Sequence, residues 1–269
     1  MFSKGYLDSN VYVGLARKKI TEKQLRKHCG SIRLCNINII EIISKTNSEN
    51  FKFQQLVASQ TKITTGSIEQ STNRLLTSWA LPEDKLDRLG ARIAFNWFIG
   101  AKRFEDIKDE IVAHVKPLKD ISYLEFKKDV EKGISDWKKK FDQIKSQIPK
   151  DSPDKNKRTA FSNALFSDEV LMNLFKTTRV NAYELISRTP PTEITDEELT
   201  KALKNQFNYL LFYIGYCVHG IQHQIEFNDF GDLDLMRFLD DDSCVITNDV
   251  KMLEIAKEVG LEDKIIPPK

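Results

Sequence analysis

The stretch "VITNDVKMLEIAKEVG", Val245 to Gly260, decides the fold. A short strand is predicted over Cys244–Thr247, a helix over Val250–Val259, and Gly260 is a fitting stop for that helix. Asp249 stands between them. A carboxylate there can be a helix N-cap, since Asn and Asp are favoured at that position. It can equally be one corner of an acidic metal site whose other corners lie far away in sequence.

The same strand, acid and helix order recurs at the other end of the chain. Gly5–Leu7 reads as a strand, Asp8, Ser9 and Asn10 follow it, and a short helix runs through Ala16. A second strand, Ile32–Cys35, leads through Asn36 as a cap into an apolar helix, Ile37–Ile43, which carries Glu41. Towards the C-terminus a helix around Asp232–Leu239 precedes the strand at Cys244. A last edge segment, Lys264–Ile266, stops at two prolines. Strands alternating with helices predict a parallel α/β sheet.

The middle of the chain differs. From roughly residue 50 to 220 it reads as almost all helix, with Trp137, Phe141, Ile144 and Ile148 at helical spacing and a capping box at Thr195 and Glu198. Polar, proline-containing breaks fall at Pro149–Arg158 and Ser187–Thr195. The expected organisation is an α/β platform made from residues 1–48 and 222–269. Residues 49–221 form a mostly α-helical region, part of which completes the platform and part of which is an insertion.

With 269 residues and 16 phenylalanines the chain can bury a substantial core. A net charge of +2 neither demands nor excludes a nucleic-acid partner. Cys29, Cys35, Cys217 and Cys244 form no CxxC pair, which fits reduced thiols better than disulfides or a structural zinc site. The N-terminal residues lack the pattern of a signal peptide. The most apolar run, Tyr209–Val218, is about half of the roughly 20 residues a membrane helix needs. A cytoplasmic protein without membrane partners is expected.

Parallel strands place Asp8 and Asp249 at one edge of the sheet, where α/β proteins build their sites. Asp229 and Asp232 are three apart and share a helical face, and Asp232 is in line with Met236 and Leu239 on its buried side. Converging carboxylates repel and raise one another's pKa. A divalent cation reverses that cost, and Mg²⁺ or Mn²⁺ prefers such oxygen ligands. Asp234 points to a different helical face, and the run Asp240–Asp242 reads as a solvated loop.

Four stretches, "YLDSNVYVGL", "IRLCNINIIEI", "NDFGDLDLMRFL" and "CVITNDVKMLEIA", resemble in order the signature regions of PIN-domain ribonucleases. The resemblance implies a PIN-like three-layer α/β/α platform with a central parallel sheet built from both termini. It implies Asp8, Glu41, Asp232 and Asp249 as catalytic and metal-ligating acids, with Asp229 as an additional acid. Ser9, Asn10, Thr247 and Asn248 become supporting polar residues. The implied activity is Mg²⁺- or Mn²⁺-dependent endonucleolytic hydrolysis of RNA, in a family that includes toxins and defence effectors with inhibitory protein partners. Homo-oligomers are compatible with it. The chain departs from compact members of the family by the 190 residues between Glu41 and Asp232.

Two further features have ordinary readings beside functional ones. His219, His223 and Glu226 share a helical face, which resembles half a metal site but suits packing inside a helical bundle as well. Lys138, Lys139, Lys140 and Lys145 lie across a helix from the Trp137/Phe141/Ile144 stripe; they form a solvated face or a contact for an RNA backbone. A non-catalytic PIN-like interaction module is the competing reading of the whole chain.

Overall fold

The computed structural model describes residues 1–69, 95–111, 115–167, 205, 208–218, 225–236 and 238–268. The first half of the platform consists of β1 (Phe2–Leu7), α1 (Ser9–Ala16), α2 (Glu22–Leu25), β2 (Cys29–Cys35), α3 (Asn36–Ser44), α4 (Phe51–Ser59) and β3 (Thr64–Glu69). After a helical segment at residues 95–100 come the long α5 (Lys116–Ser146) and α6 (Asp154–Phe166). A π-helical stretch, Tyr213–Val218, is followed by α7 (Phe227–Met236), β4 (Ser243–Ile246), α8 (Val250–Glu258) and β5 (Ile265–Ile266).

The five strands lie in the order β3-β2-β1-β4-β5, and every pairing is parallel. Gly5 of β1 is opposite Ile32 of β2 on one side and Cys244 of β4 on the other. β1 is therefore the axis, and the chain winds outward from it in both directions. Side chains alternate across the strands. Leu7, Ile32, Leu34 and Ile246 join one buried cluster with α1, most of α3, α4 and Phe98. Tyr6, Cys35 and Val245 join a second with α5, α6, α7, α8 and Phe212. Tyr6 stacks on Phe238 with ring centroids 4.8 Å apart. Helices thus cover both faces of a parallel sheet.

Local chemistry explains the element ends. Asp249 caps α8 by accepting a 2.8 Å bond from the Met252 N–H. Gly260 follows that helix at φ 72°, a left-handed turn that glycine takes without cost. Thr21 and Gln24 form a reciprocal capping box on α2.

The sheet is not built from the termini alone, which corrects one expectation. β3 comes from residues 64–69 and pairs with β2. α4 and β3 lie beyond residue 48 yet belong to the platform. Their sequences carry little strand or boundary signal: "TTGSIE" has one aliphatic residue and a glycine, which suits an edge strand. α7 also begins at Phe227, five residues before the expected start, and runs through Gly231. The 95–100 segment, α5 and α6 pack directly on the platform's two core clusters. The expected break at Pro149–Arg158 is shorter, since α6 starts at Asp154. The capping box at Thr195 and the break at Ser187–Thr195 lie outside the described residues. The four cysteines are free and buried. Among the described residues no helix is long and apolar enough to cross a membrane.

Candidate metal centre

A doubly wound sheet opens a crevice where consecutive connections leave in opposite directions, beyond the carboxyl ends of the strands. Here that point lies between β1 and β4. Asp8 directly follows β1, and its N–H donates to the Ile246 carbonyl at the end of β4 (3.0 Å). The cleft at this point holds about 210 Å³ of water-accessible space. Asp8, Glu41, Asp232 and Asp249 all line it, brought from β1, α3, α7 and the β4–α8 turn.

Supporting polar groups hold these acids in place. Thr247, fully buried, donates its hydroxyl to Asp8 Oδ2 at 2.7 Å and accepts from the Asp249 N–H at 2.9 Å. One hydroxyl therefore ties the two strand-end acids together. The Asn10 amide donates to Asp8, and Asn10 Oδ1 accepts from the Asn248 N–H at 3.1 Å. Ser9 donates to Glu41 Oε2, and Lys45 bonds Glu41 Oε1 at 2.5 Å.

Asn38 was not anticipated and is central to this web. Its buried amide donates to the Leu7 carbonyl and to Ser9 Oγ, each at 3.2 Å, and its oxygen accepts from the Cys35 N–H. It joins the end of β1 to the start of α3. The signal was present: Asn38 is three residues before Glu41, so the two share a helical face. Lys45, four residues after Glu41, was equally open to that argument. Asn228, four residues before Asp232, was open to it too, whereas Gln54, which also lines the cleft, had no such signal.

Burial makes negative charge costly in this cleft. Burial raises Asp8 to about 6, against the pull of the Thr247 hydroxyl, and the charges of Glu41 and Asp249 add to the rise. Asp232 is pushed well above the usual carboxylate range, first by burial and then by Asp8, Asp249, Asp229 and Glu41. Among the described residues it has no hydrogen-bond donor. The donor set is all oxygen, from four acids that line one cleft, and hard divalent cations such as Mg²⁺ and Mn²⁺ fit it. Among the described residues, however, no three His, Cys, Asp or Glu side chains already stand together as a ligand group. Ligation requires the carboxylates to draw in around the ion.

Asp229 takes another part. It pairs with Lys251 at 2.5 Å and accepts from the Glu226 N–H at 2.7 Å, outside the cleft lining. Lys251 also sits 4.7 Å from the centre of the Tyr213 ring. Asp229 is thus a structural anchor for the start of α7 and a source of negative potential for Asp232. Asp234 is buried and does not line the cleft. Asp241 and Asp242 are exposed, as a solvated loop requires. His219 and His223 lie outside the described residues, and Glu226 is exposed.

The four lysines do not act as one group. Lys138 and Lys139 are exposed on α5 and Lys140 is half-buried. Lys145 borders a separate groove together with Lys150, Lys157 and Arg158. Arg158 there is held by Glu254 at 3.4 Å and Glu258 at 3.6 Å. No protein-family model, curated protein or solved structure matches the chain.

Proposed function

We propose that the chain is a PIN-like, Mg²⁺- or Mn²⁺-dependent endoribonuclease. The observation that carries this reading is the meeting of Asp8, Glu41, Asp232 and Asp249 in one cleft at the switch point of a parallel sheet. Burial penalises two of the four acids, Asp8 and Asp232, and a bound cation would offset that cost.

An ion held by these carboxylates would supply positive charge for a phosphodiester and acidify a water for in-line attack. The protein's own part is preorganisation. Thr247 and Asn10 fix the Asp8 carboxylate, and the Met252 N–H fixes Oδ1 of Asp249. Ser9, itself held by Asn38, orients Glu41. Asp232 brings a fourth carboxylate to the cleft from α7. A growth-restricting toxin or defence effector, cytoplasmic and restrained by an inhibitory protein or by self-association, is the biological setting this activity suits.

The test is incubation of purified protein with mixed RNA and DNA in Mg²⁺, Mn²⁺ or chelator. RNA cleavage that needs the metal and falls at least about 100-fold in Asp8→Asn and Asp249→Asn is expected. Activity that survives both substitutions sinks the assignment. One observation favours a non-catalytic PIN-like interaction module instead: among the described residues no three acids are already grouped as ligands. Absence of both Mn²⁺ binding and cleavage would remove the nuclease reading.

A further inference from the structure

Lys45 stands where a nuclease cleft needs explanation. Among the described residues it is the one cation lining a cleft lined by four acids. Its ammonium is 2.5 Å from Glu41 Oε1, while Ser9 takes the other oxygen. Both oxygens of Glu41 are thereby engaged, and its side chain is only 14% exposed. An ordinary helical i,i+4 pair lies on the solvent face and contributes little. This one points its carboxylate into a crowded acidic site.

We propose that Lys45 has two successive partners, which makes it a positioning residue of the nuclease site. Without metal it is the ion-pair partner of Glu41 at the cleft wall. When a divalent cation takes Glu41, the ammonium is released to the cleft rim and holds the phosphodiester of the substrate strand. Its side chain is 44% exposed, so the long aliphatic stem can turn from one partner to the other. Gln54, from α4, lines the same cleft and offers an amide donor to the same phosphate.

This inference rests on the nuclease reading, and its two halves give opposite signs in one variant. Mn²⁺ titration by calorimetry of the full chain at pH 7.5 should show roughly fivefold tighter binding in Lys45→Met, because the competing ammonium is gone. Cleavage of a 12-nucleotide oligouridylate by the same variant should show KM raised roughly tenfold with a smaller change in kcat. Lys45→Arg should restore KM to within a few-fold of wild type, because a cation at the rim is restored. A helix-stabilising pair would shift Tm and leave both readouts unchanged. Unchanged Mn²⁺ affinity and unchanged KM in Lys45→Met, with an active wild type, overturn the Lys45 proposal alone. A wild type that neither binds Mn²⁺ nor cleaves RNA overturns it together with the nuclease reading.

Discussion

Asp232 is buried at 9% exposure, has no hydrogen-bond donor among the described residues, and faces the fields of Asp8, Asp249, Asp229 and Glu41. Its folded-state pKa lies above its unfolded value, as does that of Asp8 at about 6. Such groups favour folding when protonated. Their contribution is fully present below about pH 4 and is lost as pH rises through the folded pKa. Asp232→Asn removes a charge that is unwelcome at neutral pH. The metal-free variant should therefore have a higher Tm than wild type at pH 7.5, and the difference should close by pH 4. Thermal melts in chelator at the two pH values check this; a variant less stable at pH 7.5 would show that Asp232 serves the fold. The four cleft acids were legible as single residues because each occupies a distinctive place: after a strand, at a cap, or on an apolar helix face. Their supporting contacts were less legible. Thr247 and Asn10 stood next to them; the spacing to Glu41 put Asn38 on the right helical face, but its buried tertiary bond to Leu7 is written in no local pattern.

At the scale of elements, the strands beside the site were readable because β1, β2 and β4 each close on buried apolar residues (Tyr6 and Leu7, Leu34 and Cys35, Val245 and Ile246) and are followed at once by polar ones. β3 was not, since an edge strand needs few apolar residues on its outer side. The 208–218 helix was recognisable as buried, but not the manner of its packing. Its Gly215 lies against two fully buried rings: a Cβ there would come within 2.7 Å of Phe141 and 2.9 Å of Phe161. Neither ring has room to retreat, as Phe161 is also packed on Phe212 and Tyr216. Gly215→Ala should cost roughly 1–3 kcal/mol through overpacking. Gly133, in the middle of α5, provides the contrast, because its added Cβ would meet only Ile214 at an ordinary 3.8 Å. Gly133→Ala should stabilise by about 0.5–1 kcal/mol through helix propensity. Urea unfolding of the pair tests the packing, and equal effects of one sign would refute it.

At the scale of the molecule, β1 pairs with β2 from its own end of the chain and with β4 from the other end. The Thr247–Asp8 bond spans 239 residues, so the cleft exists only when both ends have met. An ion bridging Asp8, Glu41, Asp232 and Asp249 would bind the folded state and not the unfolded chain, whose acids are far apart. Linkage then makes the metal a stabiliser of the whole platform. At 100 times its Kd, Mn²⁺ should add about 2.7 kcal/mol, which corresponds to roughly 5–10 °C in Tm for a domain of this size. Protonation of Asp8 and Asp232 competes with the ion, so the shift should shrink steeply from pH 7.5 to pH 5. It should also fall by most of its value in Asp8→Asn. An undiminished Tm shift in that variant would place the ion elsewhere, and a shift that grows on acidification would exclude carboxylate ligation altogether.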